Sequence, residues 1–171
     1  EHALKVHYHW MPGLPGSSPE KNLKMSKRLS EDDCFRPDGL KIYPTMVVEG
    51  TELEKWYRKG RYTPYTNEEM TALIADIKAE VPRYVRISRV LRDIPAGYIV
   101  GGLKNSVRDD VKKMMKQNGK ECECIRCREY GHRARTGKET GEPRLKRMDY
   151  EASGGREVFL TFEDDDDTLF G

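Results

Sequence analysis

LKIYPTMVV, residues 40–48, is the mostly apolar run that decides the fold class. It lies between an acidic segment at residues 30–33 and Gly50, and its composition predicts a buried strand. Continuous apolar strands of this kind are typical of parallel sheets that are covered by helices. The run therefore favours an α/β fold.

The neighbouring segments support that fold class. The predicted elements, in order, are a strand over 3–11, a helix from Pro19 to about Leu29, the strand over 40–48, a short helix over 51–60, a helix capped by Asn67, and a strand over 84–95. The Asn67 helix ends at Pro82, and its apolar residues at helical spacing are core: Met70, Leu73, Ile74, Ile77 and Val81. Strands alternating with helices predict an α/β layer with parallel strands.

The composition is that of a polar chain that still packs a core. Hydrophobic residues make up 36% and charged residues 35% of the 171 residues. No run approaches the roughly 20 apolar residues that a membrane helix needs, and the start lacks the layout of a signal peptide. Three of the four cysteines lie in one cluster, which favours a reducing compartment and metal use. We expect a cytoplasmic protein that does not contact a membrane.

The charges are segregated along the chain. Residues 83–147 hold 18 basic and 8 acidic residues, whereas residues 148–171 hold 1 basic and 8 acidic residues. A solvated face is the common explanation of such a block, but this one coincides with the cysteine cluster and a basic helix. That helix follows Asn105 and ends at Gly119, with Lys112, Lys113 and Lys116 on one face. The block predicts a surface for a polyanion such as a nucleic acid.

The segment ECECIRCREYGHR, residues 121–133, carries the cysteine cluster: Cys122, Cys124 and Cys127. A disulfide between Cys122 and Cys124 is disfavoured, because only one residue separates them. Three thiolates so close together suit a soft metal ion such as zinc. His132, Cys34 or a water molecule would supply the fourth ligand, and free thiols without a metal are the alternative.

Both ends of the chain carry strand patterns, over residues 3–11 and around the turn at residues 152–157, and a run of aspartates occupies 164–167. One and a half strands at the C-terminal end do not make a stable sheet alone. We therefore expect an interior piece of a longer protein. His7 and His9 alternate on the first strand and point the same way, and we find no defensible catalytic set of residues.

Several stretches together resemble the catalytic subunit of the Elongator complex, in its archaeal form. They are MPGLPGS at 11–17, FRPDGLKIYPTMVVEGTELEKWYRKGRYTPYT at 35–66, RISRVLRDIPA at 86–96, CIRCREYG at 124–131 and DYEASGGREVFLTFED at 149–164. The resemblance implies a radical S-adenosylmethionine domain joined through a zinc-containing linker to a histone-acetyltransferase-type domain. It also implies modification of the wobble uridine of tRNA toward 5-carboxymethyluridine with acetyl-CoA.

The resemblance also implies a division of this chain. Residues 1–100 would be the C-terminal part of a radical S-adenosylmethionine partial (β/α) barrel, residues 101–147 a basic zinc-binding linker, and residues 148–171 the first strands of an α+β acetyltransferase domain. The cysteines of the 4Fe–4S cluster and the acetyl-CoA site would lie outside the chain. The chain alone is then expected to be inactive and to hold only Zn²⁺.

By the same resemblance, Lys41 and Tyr43 would face the S-adenosylmethionine pocket, with His7 and His9 nearby. Cys122, Cys124 and Cys127 would be the zinc ligands. The residues expected to bind tRNA are Arg86, Arg89, Arg92, Lys112, Lys113 and Lys116. Because the arginines recur every third residue of a predicted strand, Arg86 and Arg92 should act differently from Arg89.

Two other functions remain open at this point. In the first, the chain would be a zinc-stabilised RNA-binding or assembly module without catalysis. In the second, it would be part of a protein acetyltransferase that acts on histones. The basic surface argues against binding cationic histone tails. A homodimer is a further possibility.

Overall fold

The computed structural model describes residues 4–103, 107–137 and 139–171. Its strands are β1 (His7–Trp10), β2 (Gly39–Ile42), β3 (Val47–Val48), β4 (Arg86–Val90), β5 (Ile99–Gly101), β6 (Arg144–Ala152) and β7 (Gly155–Glu163). Its helices are α1 (Pro19–Glu31), α2 (Glu52–Arg58), α3 (Asn67–Ala79), α4 (Arg108–Gln117), α5 (Ile125–Arg128) and α6 (Tyr130–Arg133). None of these helices is long and apolar enough to cross a bilayer.

The main sheet consists of three parallel strands in the order β1-β2-β4. His9 pairs with Lys41 of β2, and Lys41 in turn pairs with Arg89 of β4. Helix α1 connects β1 to β2, and helices α2 and α3 lie between β2 and β4 in the chain. The predicted parallel α/β layer is therefore confirmed for these three strands.

The three strands predicted for the sheet layer are shorter than expected, and the described part of the one predicted over 3–11 is a strand only at His7–Trp10. The run at 40–48 is not one strand: β2 ends at Ile42, and Val47–Val48 pairs antiparallel with β5 in a separate sheet. Pro44, which has no N–H to donate to a ladder, separates the two pieces. The strand predicted over 84–95 ends at Val90, because Leu91 has a φ of 82° and turns the chain. Arg92 therefore lies beyond the strand.

The helix starts follow local capping chemistry. Ser18 accepts the Lys21 N–H and Pro19 is the first helical residue, as expected. The prediction of Asn67 as a cap was wrong, since Thr66 caps α3 and forms a capping box with Glu69. The predicted start of α4 at Asn105 lies outside the described residues, and Gly119 follows its C-cap with a φ of 63°.

The hydrophobic core lies between the sheet and the helices α3 and α4. All five apolar residues predicted for the Asn67 helix are buried there, together with Leu40 and Ile42 of β2. Val107, Val111 and Met115 of α4 join the same cluster, as does Cys124. The basic helix and the cysteine segment thus pack directly on the parallel-sheet layer.

The hairpin formed by β6 and β7 lies against this layer. The ring of Tyr150 stacks on that of Tyr84 with centroids 3.8 Å apart, and Met148 and Phe159 pack against the core. At the tip of the hairpin, the Ser153 N–H donates to the Asp33 carbonyl at 2.9 Å. The hairpin is therefore attached to the sheet layer by ring stacking, by apolar packing and by a backbone hydrogen bond at its tip.

Candidate functional site

The three clustered cysteines come together in the segment that follows α4. We call this segment, residues 119–135, the cysteine loop. The sulfur atoms of the three cysteines all lie within 4.8 Å of one another, and Cys124 is fully buried. The loop is fixed because the Ile125 N–H donates to the Val85 carbonyl at 3.0 Å, next to β4. The Cys127 N–H closes the turn by donating to the Cys124 carbonyl, also at 3.0 Å. This turn aims all three thiols at a common point.

The electrostatics of the cluster favour a thiolate. The thiols of Cys122 and Cys127 hydrogen-bond to Cys124 and lower the pKa of Cys124. The Nζ of Lys78 lies 3.7 Å from the Cys127 sulfur. Burial opposes the charge of Lys78, but the three sulfurs outweigh burial and raise its pKa. An ammonium beside a thiolate is a stable arrangement, and the donor set suits a soft cation.

The fourth ligand is not fixed by this geometry. Among the described residues, no further His, Cys, Asp or Glu offers a ligand atom within 4.8 Å of all three sulfurs. His132 lines a cavity that Cys122 and Cys127 also line. Cys34 is clustered with Asp32 and Asp33 instead. Three sulfurs within this spacing fit a zinc ion, whose bonds to sulfur are about 2.3 Å long.

A cavity of about 610 Å³ opens beside the cysteines, between β4, α4 and the cysteine loop. Its aliphatic surface is formed by Ile87, Val90, Val111 and Met115. Around this surface lie basic side chains: Lys78, Arg89, Arg108, Lys112, Lys116, Lys120, Arg126 and Arg133. Glu121 is the one acidic residue in the described lining. We call this space the basic cavity.

The structure brings only part of the predicted RNA-binding set to the basic cavity. Arg89, Lys112 and Lys116 line it, whereas Arg86, Arg92 and Lys113 are absent from the lining that the structure describes. Arg86 forms an ion pair with Glu129, and Arg89 pairs with Asp93 at 3.1 Å. Two of the three arginines are therefore engaged with acids.

Five basic residues of the cavity were missed by sequence reasoning: Lys78, Arg108, Lys120, Arg126 and Arg133. Lys78 lies on α3, whose periodicity indicated only core packing. Lys120, which follows α4, forms an ion pair at 2.7 Å with Asp76 of α3. These five residues meet at one cavity because α4 and the cysteine loop pack beside α3, and no local sequence pattern specifies that packing.

The four residues predicted near a cofactor lie on β1, on β2 and just after it. His7 and His9 are exposed, while Tyr8 and Trp10 pack toward the core. Lys41 pairs in register with His9, and the rings of His9 and Tyr43 meet edge to face with centroids 5.2 Å apart. The alternation of β1 and β2 thus places these side chains on the sheet face opposite the core. We call this the polar sheet face.

The loop at 11–17 lies at the carboxyl end of β1. Its Gly13 N–H donates to Oδ1 of buried Asn22 at 3.1 Å, and the Tyr62 hydroxyl donates to the Gly13 carbonyl at 2.7 Å. Gly13 has a φ of 86°, and a Cβ there would press on Met70. The loop is therefore rigidly anchored next to the edge where ligands bind parallel sheets.

Comparison with known proteins defines the class. Residues 37–117 match the Radical_SAM C-terminal domain, which covers the core of the sheet layer together with α4. This range continues past residue 100, where the sequence predicts the linker to begin.

Similar proteins cover nearly the whole chain. A tRNA uridine(34) acetyltransferase of Dehalococcoides mccartyi is 67% identical over 100% of the chain, which spans 37% of that protein. Elongator complex protein 3 of Homo sapiens is 39% identical over 98% of the chain, and the chain spans 31% of that protein. The solved structure of archaeal Methanocaldococcus infernus Elp3, lacking N-terminal residues 1–46, superposes with a TM-score of 0.91 at 48% identity. It matches 97% of the chain and 40% of that structure.

The chain belongs to the family of these proteins, the Elongator complex protein 3 family, and spans about a third of the length of the relatives it matches. The resemblance inferred from the sequence motifs is confirmed.

Proposed function

We propose that the chain is part of an enzyme that modifies the wobble uridine of tRNA with acetyl-CoA and S-adenosylmethionine radical chemistry. Its own contribution is tRNA binding and a zinc tie between domains. The names of the relatives support the reaction class, and the basic cavity beside the cysteine cluster supports the contribution of this piece. The basic cavity is the observation that carries the proposal.

Four charges of the basic cavity are available for phosphates. Within residues 4–103, 107–137 and 139–171, no acid lies within ion-pair distance of Arg108, Lys112, Lys116 or Arg126. Lys112 and Lys116 are exposed on α4. Guanidinium groups fork onto phosphate oxygens, and ammonium groups supply point charge. A nucleic-acid backbone that crosses α4 would meet four such cations.

The zinc tie rests on the donor set. Cys122, Cys124 and Cys127 would hold the ion, which in a closed thiolate site organises the loop without taking part in catalysis. The loop joins α4 to the hairpin and contacts both the sheet layer and residues 163–169. In this proposal, residues 1–100 belong to the radical domain, residues 101–147 to the linker and residues 148–171 to the acetyltransferase domain.

The polar sheet face is proposed to bind S-adenosylmethionine in the longer enzyme. His7, His9, Lys41 and Tyr43 provide polar groups there, next to the anchored loop at 11–17. The cofactor, together with a 4Fe–4S cluster, would supply radical chemistry. The residues of this chain would only bind and orient the cofactor.

The experiment that tests tRNA binding is a matched charge reversal on α4. Lys116→Glu should weaken binding of tRNA and reduce the salt slope of the association constant, because Lys116 lines the basic cavity. Lys113→Glu makes the same change in charge on the same helix, at a position outside the described lining, and serves as the control. Each phosphate neutralised on a single strand contributes about 0.7 to the slope of log K against log salt. Equal effects of the two variants, or binding indifferent to salt, would contradict the proposal.

A module that binds RNA without catalysis is the second candidate. Its supporting observation is that three of the four cysteines of the chain form the cluster. The chain cannot provide three more for an iron–sulfur cluster. Both candidates predict that the isolated chain does not cleave S-adenosylmethionine under anaerobic reducing conditions, so that assay tests the division into domains. Cleavage by the chain alone would overturn the division into domains.

A further inference from the structure

We infer that the basic cavity holds one unpaired nucleotide of the bound RNA, with its base on the aliphatic surface and its flanking phosphates on the surrounding cations. The inference rests on the proposed RNA binding. It adds a preference for an open loop over a duplex, and it assigns the cavity to a base and not only to the backbone.

The interior of the cavity is unsuited to phosphate alone. Ile87, Val111 and Met115 form the almost fully buried floor of the cavity, and Val90, partly exposed at the edge strand β4, is its most accessible aliphatic side chain. These four aliphatic side chains offer no hydrogen-bond donor to an anion. A nucleobase gains from contact with an apolar surface, because every base has an apolar ring face. The size, about 610 Å³, falls within the roughly 300–1,000 Å³ of pockets that enclose small molecules.

The surrounding charge selects a nucleotide over an uncharged ring. Arg108, Lys112 and Lys116 of α4 face Arg126 of the cysteine loop across the opening. Glu121 is the one acid of the described lining, and Arg89 and Lys120 pair with acids outside it. A base on the aliphatic surface therefore has basic groups within reach of the phosphates on either side of it. An apolar peptide would leave these cations without partners.

The base must come from an unpaired segment. In a duplex the bases are stacked inside, and proteins meet mainly phosphates and 2′-hydroxyls. Only an unstacked nucleotide can insert its base beside Val90, between β4 and α4. His7, His9, Lys41 and Tyr43 are absent from the described lining. The nucleotide in the cavity is therefore a different one from any presented to the polar sheet face, and it anchors the loop.

The test uses the whole chain with two RNAs of equal length, a hairpin with an open loop and a blunt duplex. Wild-type protein should prefer the hairpin, and an abasic nucleotide placed at each loop position in turn should cost about tenfold in affinity at one position. Val90→Trp fills the cavity without changing its charge and should abolish both effects while keeping the salt slope. Val158→Trp, on the exposed face of β7, is the matched control and should change neither effect.

Each other outcome has a definite meaning. Salt-dependent binding with equal affinity for both RNAs and no position sensitive to base removal overturns this inference and leaves RNA binding in place. Absence of salt-dependent binding to either RNA overturns the proposed function as well. Sedimentation showing that Val90→Trp changes self-association, with RNA binding unaltered, would assign the cavity to contact between copies. The abasic series needs no variant protein and decides the matter even if Val90→Trp does not fold.

Discussion

The guanidinium group of Arg128 and the carboxylate of Glu163 form an ion pair whose side chains are 1% and 4% exposed. Arg128 directly follows Cys127, and Glu163 is the last residue of β7. Arg128 Nε also donates to the Glu123 carbonyl at 2.7 Å, within the cysteine loop. One buried arginine therefore connects the cysteine loop to the hairpin.

Removing Arg128 should destabilise the protein strongly. Arg128→Met leaves the buried Glu163 with Arg83 at 2.9 Å and Lys146 at 3.8 Å, so the loss should fall at the lower end of the about 3–5 kcal/mol that an uncompensated buried charge costs. Urea unfolding measures the loss. Arg156→Met, which breaks the more exposed pair with Asp149, is the control and should cost about 1 kcal/mol or less. Similar losses for the two variants would show that the buried pair has no special weight.

Acid should loosen the junction of the hairpin. Burial opposes ionisation of Glu163, but hydrogen bonds from Arg128 and Thr161 outweigh burial and lower its pKa below the ordinary 4.5. Arg83 lowers the pKa of Asp167 in the same way. Because the unfolded chain takes up these protons at higher pH, the stabilisation is present above about pH 4.5 and is lost as the pH falls further.

The measurement is urea unfolding from about pH 6 to about pH 3. The free energy of unfolding of the wild type should fall with pH, and Glu163→Gln should reduce the slope. Glu157→Gln, at an exposed position of the same strand, should leave the slope unchanged. A slope that survives Glu163→Gln unaltered would place the acid sensitivity elsewhere.

The sheet layer could be predicted because its signals are local. Helical periodicity in α3, the Ser18 and Pro19 start of α1 and the apolar run after Gly39 each depend on neighbouring residues. The errors were local too. Pro44 marked the break in the run at 40–48, and Thr66 with Glu69 had the spacing of a capping box.

The candidate site could be predicted only in part. The cysteine triplet is visible because a tight spacing itself restricts the chemistry. The basic cavity combines Lys78 of α3 with Arg108 and Arg126, and only tertiary packing brings these together. Arg128 and Glu163 are 35 positions apart, and no charge pattern distinguishes their pair from the many exposed ones.

The cysteine cluster should bind one zinc per chain. Cys124→Ser removes the buried central sulfur and should lower metal content and increase proteolysis within residues 119–135, because that loop has few apolar residues to hold it. Metal analysis and limited proteolysis check both effects. Freshly prepared wild-type protein without zinc, and with the same proteolysis as Cys124→Ser, would contradict the prediction.

The last prediction concerns the fourth ligand of that zinc. His132 lines the basic cavity together with Cys122 and Cys127, so it shares a cavity with two of the three sulfurs. Cys34 hydrogen-bonds within its own acidic cluster, and Asp33 and Asp32 raise the pKa of its thiol. We therefore expect His132→Ala to weaken zinc binding in competition with a chelator, and Cys34→Ala to leave it unchanged. Loss of affinity in Cys34→Ala alone would assign the ligand to Cys34. Unchanged affinity in both variants would mean that water completes the coordination.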